Sequence, residues 1–233
     1  MIGDPENIET YALRAAEFGL LIRGGFAPSA EDVVPPVREG KPSLSVLLFG
    51  NAGSSIWQAF SQSDEYQDGR EDPLNRWSMR IGNALAKEWG GLALFPFEGP
   101  PYLPFIRWAK KSENLQSSQL GMLMHPVYGL WHAYRFAVAL PFAIGIDRSR
   151  QAAAHACDSC TGKPCLQSCP VNAFDGERYD VKACYTYLAN NPGSKCRQLG
   201  CRARVACPQG TEYIYYPDHA TFHMEKFVVS QAK

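Results

Sequence analysis

The sequence predicts an α+β domain over residues 1–150, followed by a small cysteine-rich module over residues 151–233. Three observations carry this division. Stretches with apolar residues at helical spacing alternate with a few short apolar runs as far as Arg150. Composition then changes abruptly to cysteine, short loops and a polar tail. All eight cysteines lie between Cys157 and Cys207, and the chain before them has none.

Residues 8–22, "IETYALRAAEFGLLI", carry apolar side chains at helical spacing, and "RGGFAP" then interrupts the pattern. "EDVVPPVREGKP" is a loop by its prolines and glycine. The apolar run Ser43 to Gly53 ends in turn residues and reads as a buried strand. "DPLNRWSMRIGNALAKEWGG" is the clearest helix, with Asp72 at the N-cap and Pro73 at the first helical position. Its apolar stripe is Leu74, Trp77, Ile81, Leu85 and Trp89, and Gly90-Gly91 end it. "LALFPFEGPPYLP" reads as a strand and a proline-rich turn, and "FIRWAKKSENL" as a short helix. "GMLMHPVYGLWHAYRFAVALP" reads as a strand, a turn and a second apolar segment.

Lys plus Arg equals Asp plus Glu at 23 each, giving zero formal net charge. That balance supplies no chain-wide field for nucleic acid, so no nucleic-acid partner is expected on this ground. The start "MIGDPENIET" has neither the basic region nor the apolar core of a signal peptide. The most hydrophobic run, Gly129 to Ile146, contains His132 and Arg135 and is broken by Pro141. Charged groups at membrane depth are costly, so the run is read as buried core and no membrane partner is expected. The expected location is cytoplasmic. In that setting eight cysteines point to metal before disulfides, which belong mainly to small secreted domains.

The cysteine spacing is C-x2-C-x4-C-x3-C-P, followed by Cys184, Cys196, Cys201 and Cys207-Pro208. Bacterial ferredoxins use C-x2-C-x2-C-x3-C-P, in which three close thiolates grip one iron–sulfur cube and the fourth reaches the other. By that crossed logic Cys157, Cys160, Cys165 and Cys207 hold one 4Fe–4S cluster, and Cys169, Cys184, Cys196 and Cys201 hold the second. The third cysteine comes two residues late, through "TGKP", and a turn containing Gly162 and Pro164 absorbs the insertion. Zinc is the rival, but structural zinc sites favour two C-x2-C knuckles and this chain has one. Two clusters in one small, ferredoxin-like module make a wire for single electrons, which leaves the first 150 residues to receive them or to dock a partner.

Two resemblances follow from quoted residues. The cysteine region, with "KACYTYL" around Cys184, resembles the C-terminal iron–sulfur part of epoxyqueuosine reductases, which pair two 4Fe–4S clusters with cobalamin. The N-terminal part is similar to the CblC family of cobalamin-processing proteins through "DPLNRWSMRIGNAL", "GPPYLPFIRWA" and "HPVYGLWHAYR". On the last, His125, Pro126, Tyr128, Gly129, Trp131 and Arg135 fall on the family pattern. Leu130 stands where that pattern has a second glycine, and CblC proteins carry no ferredoxin module. The resemblances imply a flavin-reductase/nitroreductase-like, CblC-like α+β domain before the cluster module. They also imply a corrinoid bound through His125, Tyr128, Gly129, Trp131 and Arg135, with His125 and Arg135 as the catalytic candidates.

Each candidate also has a plainer reading. His125 is either a corrinoid contact or a strand-end histidine satisfied by backbone, His132 is read as structural, and Arg135 needs a buried partner. Met122 and Met124 read as core filler, and Trp57, Trp77, Trp89 and Trp108 as helix-packing residues. The turn "FGNAGSS" lacks a phosphate-loop lysine and reads as a strand-to-helix turn. Arg197, Arg202 and Arg204 either serve the clusters or form a solvated basic face. The tail with His219 and His223 either covers the site or packs across the domain junction.

The expected function is an iron–sulfur-dependent, cobalamin-binding reductase that passes electrons from two 4Fe–4S clusters to a base-off corrinoid, with cobalt reduction and loss of its upper ligand. The alternatives are cobalamin-dependent reduction of an organic substrate, as in epoxyqueuosine reductases, or a ferredoxin-type electron carrier with a docking domain. A flavin enzyme fed by clusters is a further variant. All need a low-potential electron donor as partner.

Overall fold

The computed structural model describes residues 8–145 and 154–232. The chain start and the expected boundary at residue 150 lie outside the described residues. Strands β1 (Leu21–Phe26), β2 (Ser45–Ala52), β3 (Leu92–Leu94), β4 (Gln116–Ser117), β5 (Leu123–Met124) and β6 (His132–Leu140) form a four-stranded sheet of order β1-β2-β6-β3 and a separate β4-β5 pair. The chain divides into two compact units. One takes the chain up to Asn114 and resumes at Ala133; the other takes Leu115–His132 and the described residues from Ala154 onward. The α+β class holds, while the segment 115–132, assigned from sequence to the first domain, packs within the second unit.

In the first unit, α1 (Ile8–Ala16) buries Tyr11 and Ala15 and stops well short of residue 22. Gly19, at φ +69°, turns the chain out of the helix: its N–H donates to the carbonyl of Ala16 at 2.9 Å and that of Leu20 to the carbonyl of Ala15 at 3.2 Å, and Ser55 leaves no room for a Cβ at this position. Residues expected to continue the helix instead open β1, whose register slips between Ile22 and Gly25 at a β-bulge. β1 pairs antiparallel with β2, and β3 with β6. Every residue of β2 is buried, so its sequence shows no apolar–polar alternation, with Ser45 and Asn51 as polar residues near its ends.

Helices α2 (Trp57–Ser61), α3 (Asp64–Gln67), α4 (Pro73–Glu88) and α5 (Phe105–Ser112) complete this unit. Pro73 opens α4 as expected, and Leu74, Trp77, Ile81 and Leu85 are its buried stripe. Asp72 holds the N-cap position in a left-handed conformation, and its side chain makes no capping bond. Trp89 caps the other end and packs edge-on to Tyr11, 4.8 Å between ring centres. The turn at "FGNAGSS" leads from β2 into α2, with Gly53 at φ +53°. The run around β6 is core as expected: Phe136 to Leu140 are all buried. No helix among the described residues is long and apolar enough to cross a membrane.

One charged cluster sits inside this unit. Arg23, on β1, is 1 % exposed and forks onto the Glu113 carboxylate, Nε to Oε1 at 2.9 Å and Nη2 to Oε2 at 2.6 Å. Its Nη1 donates to the carbonyl of Asn51 at 3.1 Å, and its guanidinium lies 4.8 Å from the centre of the Tyr134 ring. The Tyr134 hydroxyl donates to Glu113, and burial with the Glu113 charge pushes that phenol well above its ordinary range.

The second unit adds short helices to the β4-β5 pair: α6 (Ala156–Ser159), α7 (Pro164–Gln167), α8 (Val181–Asn190), α9 (Lys195–Leu199), α10 (Arg202–Val205) and α11 (Pro217–Gln231). Its core includes Leu120, Met124, Leu130, Cys157, Cys165, Phe174, Ala203 and Cys207, with Met122 packed against it. Both methionines are therefore core filler. The aromatic tail forms α11, which packs on α8 and α9 inside this unit.

Removing one partner of a buried ion pair leaves a charge without compensation. Glu113→Ala is expected to destabilise the first unit by about 3–5 kcal/mol, read as the free energy of denaturant unfolding; a change under about 1 kcal/mol would show the pair to be effectively solvated.

Candidate metal centres

Eight thiols are gathered into two groups of four, and both groups belong to the second unit. Cys157, Cys160, Cys165 and Cys207 line a cavity of about 650 Å³, together with Leu120, Met124 and Leu130. Cys169, Cys184, Cys196 and Cys201 line a second, smaller cavity with Val171, Phe174, Leu188 and Met224. The partition is the one the crossed spacing predicts.

Local sequence explains how each thiol is aimed. His155 is the N-cap of α6: its Nδ1 accepts the backbone N–H of Cys157 at 3.1 Å, so its Nε2 donates to the carbonyl of Ser117 at 2.8 Å. Cys160 then caps the other end of α6. The insertion "TGKP" is taken up by consecutive left-handed residues, Gly162 at φ +72° and Lys163 at φ +43°, before Pro164 opens α7. Cys165 is thereby returned to the same cavity as Cys157 and Cys160, and the Lys163 ammonium donates to the carbonyl of Cys157.

In the second group, Ala173 N–H donates to Cys169 Sγ at 3.2 Å. Asp180 caps α8 by accepting Ala183 N–H at 2.8 Å, which sets the helix that carries Cys184. Ser194 caps α9, which carries Cys196, and Cys201 is itself the N-cap of α10. The Tyr179 phenol hydrogen-bonds Cys184 and stacks on Phe174 at 4.5 Å.

Burial pushes the thiols of Cys165, Cys184, Cys196 and Cys207 above their ordinary range, and that of Cys201 up to about 11. Backbone N–H groups oppose burial: those of Ala203 and Arg204 at Cys201, and that of Gln209 at Cys207. At Cys196 the opposition comes from the N–H and the charge of exposed Arg202. Negative charge on Cys157 or Cys160 is felt at Cys165 and Cys207, and negative charge on Cys169 or Cys196 at Cys184, so each group interacts within itself. Four thiolates assembled this way need a cationic core, which reverses the local preference for protonated thiols.

Among the described residues no three His, Cys, Asp or Glu side chains are placed to hold a single metal ion. Zinc binds thiolate at about 2.3 Å and draws its ligands to within about 4 Å of one another. By donor chemistry, four thiols with backbone donors to the sulfurs, each group suits an iron–sulfur cluster, and the first also has a cavity of about 650 Å³ between its thiols.

The residues expected to bind a corrinoid are committed differently. His125 Nδ1 accepts the backbone N–H groups of Val127 at 3.0 Å and Tyr128 at 3.1 Å, and its ring stacks on Tyr128 at 4.3 Å. The plainer reading of His125 is therefore the observed one. Trp131 is 1 % exposed, edge-on to Tyr215 at 5.3 Å, with the Arg204 guanidinium 4.2 Å from its ring centre. Gly129 lies against backbone, since a Cβ there would meet the carbonyl oxygen of Gln209 at 2.0 Å. These five do not form one patch of one unit: Arg135 is half-buried on β6 in the first, and His125, Tyr128, Gly129 and Trp131 belong to the second. A buried indole and a glycine pressed on backbone offer no face to a macrocycle, so these residues do not fit the corrinoid contact expected of them. His132 is structural, its Nε2 donating to the carbonyl of Leu123 at 3.0 Å.

The basic residues divide. Arg197 pairs with Glu225 on α11, Nε to Oε1 at 2.8 Å, and Arg204 donates to the carbonyl of Leu130 at 2.6 Å, so only Arg202 is exposed beside a thiol. His219 is buried, stacks on Tyr215 at 4.1 Å and shares a hydrogen bond with His223, Nε2 to Nε2 at 3.1 Å. His155 and Tyr179 stand beside the thiols without being marked by the cysteine spacing. His155, two residues before the first cysteine, was detectable as a cap.

No family model and no curated protein matches the chain. Among solved structures it is similar to an epoxyqueuosine reductase bound to a tRNA-Tyr epoxyqueuosine-modified stem loop, at 15 % identity, TM-score 0.46, covering 93 % of this chain and 71 % of that one. A selenomethionine-labelled epoxyqueuosine reductase gives 14 % identity, TM-score 0.48 and coverage of 92 % and 69 %. The Bacillus subtilis epoxyqueuosine reductase, with its catalytic loop swung out of the active site, gives 14 %, 0.45, and 92 % and 71 %. Scores this low carry no argument about activity.

In metal-free, reduced protein, alkylation of Cys201 by iodoacetamide is expected to be slow at pH 8 and to keep accelerating toward pH 11. A rate that levels off near pH 9 would contradict the burial of that thiol.

Proposed function

We propose that this chain is an iron–sulfur oxidoreductase whose second unit carries two 4Fe–4S clusters. The single observation behind this reading is the sorting of eight cysteines into two groups of four around two cavities of one unit. When bound, the clusters supply one-electron transfer at potentials tuned by hydrogen bonds to their sulfurs. The chain's own contribution is the set of donors at those sulfurs: Ala173 at Cys169, Tyr179 at Cys184, Ala203 and Arg204 at Cys201, and Gln209 at Cys207. Each favours negative charge on its sulfur and so favours the reduced state.

Of the two corrinoid readings, reduction of an organic substrate of the kind epoxyqueuosine reductases perform is now preferred to cobalt processing. The residues of the CblC pattern are consumed by packing, whereas the cysteine pattern shared with epoxyqueuosine reductases is the part realised as two groups. The corrinoid rests on that resemblance alone, and no step is assigned to it. Zero net charge speaks only to a chain-wide field, so the expectation against a nucleic-acid partner is narrowed to that and a local RNA surface is admitted. A low-potential electron donor is the partner the reading requires.

Anaerobically reconstituted protein is expected to carry about eight iron and eight sulfide per chain. Cys165→Ser and Cys184→Ser should each lower the content of only one cluster. Stoichiometric zinc, or iron near four in the wild type, would overturn the two-cluster reading. Addition of hydroxocobalamin decides the corrinoid: a base-off spectral shift supports it, and an unchanged spectrum leaves electron transfer without it.

A further inference from the structure

The segment "HPVYG" is used by no part of the function proposed above, yet it is built with unusual care. His125 and Gly129 close it by two backbone bonds, His125 N–H to Gly129 O at 2.8 Å and Gly129 N–H to His125 O at 3.0 Å. Inside the turn, His125 Nδ1 accepts the N–H groups of Val127 and Tyr128. One imidazole nitrogen thus satisfies the two donors that the turn leaves over.

The outside of this turn faces the loop that follows Cys207. Gly129, at φ +55°, has no room for a Cβ because the carbonyl oxygen of Gln209 would be 2.0 Å away. The contact is reciprocal: a Cβ on Gly210, at φ +71°, would come 2.5 Å from the carbonyl carbon of Tyr128 and 2.6 Å from the Gly129 nitrogen. The two backbones touch with no side chain between them. The Gln209 side-chain amide also donates to the carbonyl of Pro126, and the Gln209 backbone N–H donates to the Cys207 sulfur. Tyr128 continues the contact edge-on to Tyr213 at 4.9 Å. A shift of the turn is thus passed to residues 209 and 210 and from there to the thiol at 207.

We propose that the His125–Gly129 turn is a bracket that sets the position of Cys207, the ligand of the first cluster most distant in sequence from the other three, and that His125 is its positioning residue. The inference rests on the two-cluster reading. It assigns a role to His125 in which the acceptor matters and the imidazole's acid–base chemistry does not. An asparagine at 125 places its side-chain oxygen where the histidine places Nδ1, so it can accept the same two N–H groups.

The test is a redox titration followed by electron paramagnetic resonance, with iron content, on the full chain. Wild type is compared with His125→Ala, His125→Asn, Gln209→Ala and Gly129→Ala. The expected result is a shift in one of the two midpoint potentials in His125→Ala and Gln209→Ala, the other unchanged, and return toward the wild-type value in His125→Asn. Gly129→Ala should lose about half the iron. If Gly129→Ala fails to fold, the alanine–asparagine pair at 125 still decides. Both potentials unchanged in His125→Ala and Gln209→Ala, or no recovery in His125→Asn, would overturn the bracket while leaving two clusters in the wild type. Wild type without two clusters would instead sink the reading beneath it.

Discussion

Four thiols, buried or half-buried, gathered around one cavity are unstable as anions, and this chain assembles such a group twice. Burial raises their proton affinity, neighbouring sulfurs raise it further, and only a cationic core makes the assembly favourable. Much of the second unit follows from that constraint. Four of its helices at the cysteines, α6, α7, α9 and α10, are four or five residues long, whereas Cys184 is carried by the longer α8. Histidine and serine caps fix α6 and α9, two consecutive left-handed residues lead into α7, an aspartate caps α8, and backbone N–H groups are left to point at sulfur.

The first unit is organised by other means. A fully buried central strand, an antiparallel sheet and a forked arginine–glutamate pair give it a core that owes nothing to metal.

The division of the thiols between two cavities follows the crossed spacing because much of it is local: three thiols of one group lie within nine residues, and one loop brings them together. The late third cysteine was explained correctly by Gly162 and Pro164, with Lys163 adding a second left-handed residue. Helix α4 was legible for the same reason, through Pro73 and its stripe. What failed was long-range. The periodicity of residues 8–22 ran through Gly19, whose left-handed conformation ends the helix and whose close approach to the backbone of Ser55 admits no other residue. The "HPVYG" pattern looked like a ligand-binding turn because its residue types are shared with one; that Gly129 is pressed on Gln209 and Trp131 buried beneath Arg204 depends on partners some eighty residues away. Tyr179 is significant only once Cys184 is known to lie beside it.

Cys157, Cys165 and Cys207 share one packed core with Cys169, Cys184 and Cys201, so on the two-cluster account the clusters they would hold are neighbours. The most direct test is the low-temperature electron paramagnetic resonance spectrum of the fully reduced protein. The account predicts a broadened signal from two coupled reduced 4Fe–4S clusters that simplifies when Cys184→Ser removes one of them. A single uncoupled signal in the wild type, or none with zinc bound, would contradict it.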